Sequence, residues 1–318
     1  MERAVSLRHL RCFLAVAESG SFTTASSRLF LTQSALTATI QQLEEAVGLK
    51  LFDRTTRRVV MTEAGALFRP QADKILREFD NAVGDLRALA HGQKGHIKVA
   101  AIPSVIYQFL SIAIPAFREQ FPDVTISLRD AGALRIEQMV LDGEVDFGIT
   151  ARHKGFDDLD YSPLISDRYG VVCRPDHALV QRTQPLRWKD LPSRDYVAFS
   201  RDTDVGSFLA AHAAELPIVN DEHDEVSGTT ALFALLTTGT SYSIVPALAT
   251  KAGSFQGLTF RELTDPALSR EIFLITRRLR SISPTARHLL EVLLASIERK
   301  ELPEGVSLMR QFGESARK

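Results

Sequence analysis

The sequence holds only two cysteines in 318 residues, Cys12 and Cys173. That excludes a disulfide framework and any cysteine-based metal cluster. Each thiol reads as a small packed hydrophobe, with redox sensing by Cys173 as the other reading. An excess of one charge is also missing: 38 Lys and Arg face 39 Asp and Glu, a formal net charge of -1. The chain-wide basic surplus typical of nucleic-acid binders is therefore absent. No apolar run approaches the ~18 residues of a membrane span, so no membrane partner is expected. The opening MERAVSLRHLRCFLAVAESG has neither the apolar core nor the cleavage site of a signal peptide, and the expected compartment is the cytoplasm. GxSxG, HExxH and P-loop motifs are all lacking. No enzyme, catalytic residue, metal or cofactor is expected. Acidic DEHDE at 221–225 offers His223 as a metal ligand, but acidic residues ahead of a helix also suit its dipole as plain surface.

What is present is 45% hydrophobic sequence, long enough for two or three domains. In residues 6–60, Leu7, Leu10, Phe13, Leu14 and Ala17 fall on one helix face that stops at Ser19-Gly20. Ser21 offers an N-cap to a second helix over about 22–30. Thr32 caps a third, in which Leu36, Ile40, Leu43 and Val47 form a buried stripe ended by Gly48. Leu51-Phe52 and Val59-Val60-Met61 then flank DRTTRR as a small strand pair with a basic tip.

From Thr62 to about Gly92 the period changes. Phe68, Ala72, Ile75, Phe79, Ala82, Leu86 and Leu89 alternate spacings of four and three, the seam of a coiled coil. Such a helix reaches on the order of 40 Å and has no core of its own, so it is expected to pair with a second copy. Packing on its own chain is the alternative. Pro70 should kink this helix or shift its start.

HGQKGH (91–96) is a polar break, and beyond it strands and helices alternate, which argues parallel sheet covered by helices. The expected strands are 97–101, 124–130, VDFGIT, 169–173, 196–199, 242–246 and 271–276. Helices are expected at 104–120, 132–141, 205–214, 227–238 and 284–299. Residues after Leu302 read as a poorly ordered tail.

The first 60 residues look like a winged helix-turn-helix, whose third helix enters the major groove. There Gln33 offers a bidentate amide to adenine, Ser34 and Thr37 can bond base or phosphate, and Ala35 or the Thr37 methyl can meet a thymine methyl. Arg54, Arg57 and Arg58 lie on or beside the wing, where they can track the backbone or the minor groove. Taken singly, Gln33, Ser34 and Thr37 also read as solvated helix positions. Local charge agrees with a reader of DNA: residues 1–60 hold eight Lys/Arg against five Asp/Glu. So small an excess binds phosphate weakly in one copy, and two copies on one site would compensate.

SGSFT (19–23), Ala25, LTQSAL (31–36), QLEEAVGLKLFDR (42–54) and TEAG (62–65) closely resemble the N-terminal domain of LysR-type transcriptional regulators. The resemblance covers nearly the whole chain, more loosely after residue 95. It implies an α+β multi-domain fold: winged helix-turn-helix at 1–61, linker and dimerisation helix at 62–92, effector domain at 93–302 and tail at 303–318. It assigns DNA contacts to Gln33, Ser34 and Thr37 and a wing contact to Arg57. Many members carry arginine after the residue matching Thr37; here it is Ala38, and Thr39, Gln41 and Gln42 are also uncharged where basic residues are common. Backbone contact from this helix should be weaker in consequence. Implied partners are double-stranded DNA with an interrupted palindrome, a small-molecule effector, RNA polymerase and further copies of the chain, as homodimer or homotetramer.

The resemblance further implies a periplasmic-binding-protein-like effector domain, with lobe I at about 96–164 and 269–300 and lobe II at about 165–268. Crossovers are expected near Leu164–Asp167 and Leu263–Leu268. Ligands in open α/β sheets sit beyond the carboxyl ends of strands. That places Ser104, Val105, Gly132, Thr150, Arg152, Ser200, Arg201, Ser227, Gly228, Thr229 and Pro246 at the cleft. Helix starts at Ser104 and Ser227 would offer free N–H groups to a small organic anion, or be plain caps. Arg152 and Arg201 would pair with a carboxylate or remain solvated loop residues.

Overall fold

The computed structural model describes residues 5–54, 59–90, 95–220, 223–251 and 255–309. The chain divides into two compact units, residues 1–90 and 91–318.

In the first unit the local signals place three short helices. α1 (Leu7–Ser19) ends at Gly20, and α2 (Phe22–Arg28) is capped by Ser21, whose hydroxyl accepts from the Thr24 amide at 3.3 Å. α3 (Gln33–Val47) is capped by Thr32, which accepts from the Ala35 amide at 3.2 Å. Leu36, Ile40 and Leu43 of α3 are fully buried. Val47, expected in the same stripe, is 41% exposed, because the chain leaves the helix at Gly48 with φ 72°. β1 (Phe52–Arg54) pairs antiparallel with β2 (Val59–Met61). The tip with Arg57 and Arg58 lies outside the described residues. The Phe13 ring sits 5.3 Å from Phe52 and 5.1 Å from Phe68, which joins wing, first helix and the next helix in one core.

α4 (Glu63–Ala90) is a continuous helix of 28 residues running through Pro70. Of the two outcomes expected at Pro70, a shifted start is not seen, since the helix begins at Glu63. A Cβ on Gly65 would lie 2.3 Å from the Leu51 carbonyl oxygen, so only glycine lets α4 approach the wing this closely. The expected seam is divided. Ala72 is fully buried, Phe68 is half-buried, and both pack with Leu76 into their own unit's core. Their assignment to a dimer seam is therefore corrected: the bundle α1–α3 offers them a nearer apolar surface. Ile75 and Phe79 are 46% and 41% exposed, and Ala82 is exposed beyond them. Leu86 and Leu89 lie further along α4.

The second unit carries a nine-stranded sheet, ordered β4-β3-β5-β12-β6-β11-β7, with β10 and β13 also paired to β6. β3 (His96–Ala101) lies parallel to both β4 (Thr125–Asp130) and β5 (Phe147–Ala151). Between β3 and β4 the expected single helix is three segments: α5 (Pro103–Val105), one π-helical turn (Ile106–Leu110) and α6 (Ser111–Gln120). α7 (Ala133–Leu141) joins β4 to β5. The core of this lobe is closed by α11 (Pro284–Arg299), which buries Leu289, Leu290, Leu293, Leu294 and Ile297.

β6 (Leu159–Cys173) is one strand of 15 residues shared by both lobes. Its first part pairs with β12 (Ser269–Arg277) through Arg168, and Tyr169–Cys173 pair with β10 (Tyr242–Pro246). β11 (Thr259–Thr264) takes the other edge of the same stretch. The first passage between lobes, expected near Leu164–Asp167, thus lies within a strand, where the partner changes after Arg168. The register shifts where Phe273 faces Pro163 and Ile272 faces Ile165, and a bulge is where a strand tolerates proline.

Lobe II adds α8 (Ala178–Gln181), β7 (Leu186–Arg187), β8 (Val197–Phe199), α9 (Asp204–Ala211), β9 (Asp224–Val226) and α10 (Thr229–Thr238). β13 (Val306–Leu308) pairs with β6, Val306 opposite Asp167. Residues read as a disordered tail thus begin with a sheet strand, because Val306 finds a buried place beside β6. Among the described residues no helix is long and apolar enough to cross a membrane.

Candidate nucleic-acid interface and ligand cleft

The candidate interface of the first unit is the N-terminal turn of α3. Gln33 and Ser34 are exposed, while Ala35 and Thr37 are half-buried behind them. The Ser34 hydroxyl shares a 3.1 Å hydrogen bond with the Thr32 cap, and Gln33 Oε1 accepts from Thr23 Oγ1 at 3.4 Å. These contacts orient both side chains at the helix start. Thr39 does not belong to this surface. It is 7% exposed and its hydroxyl donates to the Ala35 carbonyl at 2.9 Å, so its lack of charge has no bearing on backbone contact. Arg54 ends β1.

Glu44 escaped the sequence reading. Its side chain is 2% exposed and accepts from Lys50 Nζ at 2.8 Å, the Leu51 amide at 3.0 Å and the Phe52 amide at 3.3 Å. Burial opposes its ionisation, but Lys50 and the two amides outweigh burial and leave the carboxyl below its ordinary value. One carboxylate therefore ties α3 to the first wing strand. The available signal was its place beside Ile40 in the i, i+4 register of the buried stripe.

The second unit has a cleft of about 1000 Å³ between its lobes. Ser104, Gly132, Ser227, Gly228, Thr229 and Pro246 line it. Val105 does not, being 1% exposed in the core. Thr150 is fully buried in β5, and its hydroxyl has no partner among the described residues. Arg152 is turned away, with its guanidinium 5.0 Å from the Tyr161 ring centroid. Ser200 is 9% exposed and Arg201 faces a separate cavity of about 190 Å³ within lobe II, beside His223 and Glu225. These five are corrected as cleft residues: Val105, Thr150 and Ser200 are buried, Arg152 packs on Tyr161, and Arg201 lines the separate lobe II cavity. Asp221 and Glu222 lie outside the described residues, and no metal-holding cluster occurs among those described.

Ser104 is the second residue of α5, not its cap, and accepts at 3.3 Å from Arg270 Nη2. Arg270, from β12, is the cleft's basic residue that sequence reading missed. Its Nε and Nη2 donate to Asp167 Oδ2 at 3.0 and 2.9 Å. Asp167 is fully buried and also accepts from the Leu248 amide at 2.9 Å. Burial pushes its carboxyl up, and Arg270 with the Leu248 amide pulls it down. The cleft further exposes Asp130, Asp202 and Asp204, and an apolar wall with Tyr107, Phe199 and Phe255. α10 begins at the cleft with Gly228 in the cap position and no side-chain cap, which leaves its first amides open to an acceptor.

Both thiols are buried, and burial pushes Cys173 up to about 12.

A winged helix-turn-helix with an exposed helix start, followed by a two-lobed α/β unit with a ligand-sized cleft, defines a class of DNA-binding, ligand-binding regulators. The model of the LysR substrate binding domain matches residues 90–298, and that of the bacterial regulatory helix-turn-helix protein, lysR family, matches residues 7–66. The chain belongs to the LysR family of transcriptional regulators, which are not enzymes. It is 28% identical over 288 residues to the HTH-type transcriptional regulator YbhD of Escherichia coli K12, covering 91% of this chain and 90% of YbhD. It is 30% identical over 292 residues to the HTH-type regulator YfeR of Shigella flexneri, covering 91% and 93% respectively. In fold it resembles full-length CbnR solved with its target DNA, with TM-score 0.67 and 23% identity over 92% of this chain and all of that one.

Proposed function

We propose that this regulator works as a cytoplasmic homodimer paired through the exposed Ile75–Phe79–Ala82 stripe of α4. Two copies of α3 enter the major grooves of an interrupted palindrome, with Gln33, Ser34, Ala35 and Thr37 at base edges. Arg54, Arg57 and Arg58 hold the phosphate backbone. A small organic anion enters the cleft and places its acidic end on the open start of α10, near Ser227, Gly228 and Thr229. Its differential affinity for two lobe arrangements sets which arrangement the assembly adopts on DNA. Sensor units joining two dimers into a tetramer would carry that change to DNA bending and to RNA polymerase.

The observation that carries this reading is the pairing of an exposed, cap-oriented α3 start with an open cleft of about 1000 Å³ in one chain. A gel-shift against the DNA flanking the protein's own gene, with and without a panel of organic acids, tests it. A specific complex whose affinity or footprint changes with one acid is the expected result. Equal binding to flanking and random DNA would defeat the reading.

A further inference from the structure

The cleft contains an anion already, supplied by the chain. Asp204 is the first residue of α9 in lobe II, directly after its Thr203 cap. Both of its carboxylate oxygens lie 2.9 Å from the amide of Ala133, the first residue of α7 in lobe I. Gly132 caps α7 with no side-chain bond of its own, and a Cβ there would sit 3.3 Å from Asp204 Oδ1. The carboxylate carried by the first turn of α9 therefore meets the start of α7 from the opposite lobe. A helix N-terminus carries partial positive charge, which an anion placed there offsets.

We propose that Asp204 is both a latch and a charge filter. As a latch, it bridges α9 to α7 and holds the lobes together in the absence of effector. As a filter, it fills the place at α7 that an effector carboxylate would take, and Asp130 and Asp202 add like charge to the same cleft. Arg270 does not offset them, because it is bound to the buried Asp167. The α7 end of the cleft therefore rejects a carboxylate and accepts an uncharged or cationic group. The remaining open helix start is that of α10. This inference rests on the proposal that the cleft is the effector site. It adds an orientation: an anionic end at α10 and a non-anionic end at Asp204.

The test uses the full-length protein with Asp204→Ala and Asp204→Asn, the latter keeping an acceptor for the Ala133 amide. Cooperative thermal melting checks that each variant folds. Spin labels at Asp123→Cys and Thr183→Cys, both exposed and one on each lobe, report the distance across the cleft. Asp204→Asn should keep the wild-type distance, and Asp204→Ala should lengthen or broaden it. An unchanged distance in Asp204→Ala, or an equal opening in both variants, overturns the latch. The filter is read with hexanoate and adipate, chains of equal length with one and two carboxylates. Wild type should prefer hexanoate, and Asp204→Ala should shift the ratio toward adipate by about tenfold, the effect of freeing the α7 start and removing a like charge. An unchanged ratio overturns the filter. The underlying functional reading fails separately. If the acids bind but leave DNA affinity unchanged, the cleft is not the control site, while the filter stands. If neither acid binds any of the proteins, the filter falls with the small-acid reading, and the distance measurement alone decides the latch.

Discussion

Both units of this protein present helix starts, and they present them in opposite states. In the reader unit, the start of α3 is capped by Thr32, a residue of its own turn, and Gln33 and Ser34 remain exposed. In the sensor unit, the start of α7 is met by Asp204, a residue 71 positions away on the other lobe. A locally capped helix is ready for a partner whatever the rest of the chain does. A helix completed from across a cleft is ready only when the cleft moves. Constant readiness suits DNA reading, and conditional readiness suits sensing.

Breaking the assembly should have the largest effect on the reader. Ile75→Asp with Phe79→Asp should lower affinity for operator DNA by about 10²–10⁴-fold through lost bivalency. Sedimentation should show the mass fall with it; an unchanged mass would refute pairing through α4.

Next comes the buried charge of the sensor. Arg270→Met leaves Asp167 without its cation, which should lower stability by about 3–5 kcal/mol in urea unfolding. The chain's one tryptophan, Trp188, is buried in lobe II and reports this transition by fluorescence. Glu44→Ala is the matching change in the reader. It strands the Leu51 and Phe52 amides and should remove about 2–4 kcal/mol. Far-UV circular dichroism should register that loss while the Trp188 signal stays put. A shift of the Trp188 midpoint by Glu44→Ala would erase the contrast between the units.

Glu44 also sets a pH dependence. Its carboxyl lies below the ordinary value of 4.5 in the folded chain, so its contribution is complete above 4.5 and is lost as pH falls through the depressed value. Glu44→Gln should flatten this acid limb of reader stability.

Base contacts should give smaller effects. Gln33→Ala or Thr37→Ala should each weaken specific binding by about 1–3 kcal/mol and relax base preference, as read by competition with mismatched operators. Arg57→Ala should reduce specific and random binding alike and make the salt slope shallower by about 0.9. A change confined to base preference would disprove its assigned role on the backbone.

What could be read in the sequence follows the distance over which each feature is built. α1 to α3, their Ser21 and Thr32 caps and the wing strands are made within a few residues, and they stand where caps and spacing put them. α11 is equally local and begins and ends at Pro284 and Arg299 as expected. The cleft is assembled from afar: Ser104 meets Arg270 across 166 positions, and strand-end logic drew in Thr150 and Arg201 wrongly. β6 hid because Pro163 and polar neighbours look like a boundary in one dimension and are accommodated by a bulge in three. The two missed charges share a signature. Glu44 is in phase with Ile40 on α3, and Arg270 alternates with buried Ile272 and Leu274 on β12. A charge in step with the buried face marks a partnered group, even when the partner cannot be named.

The undivided course of Leu159–Cys173 through both lobes has a mechanical consequence. β6 runs through both lobes, and residues 265–268 join β11 to β12 as a second connection, so turning a lobe deforms both. β6 acts as a rod common to the two lobes. Val306–Leu308, laid along the same rod at Ile165–Asp167, adds a second grip close to where the lobes meet. A change of lobe angle in the sensor is thus registered in the backbone of that one strand.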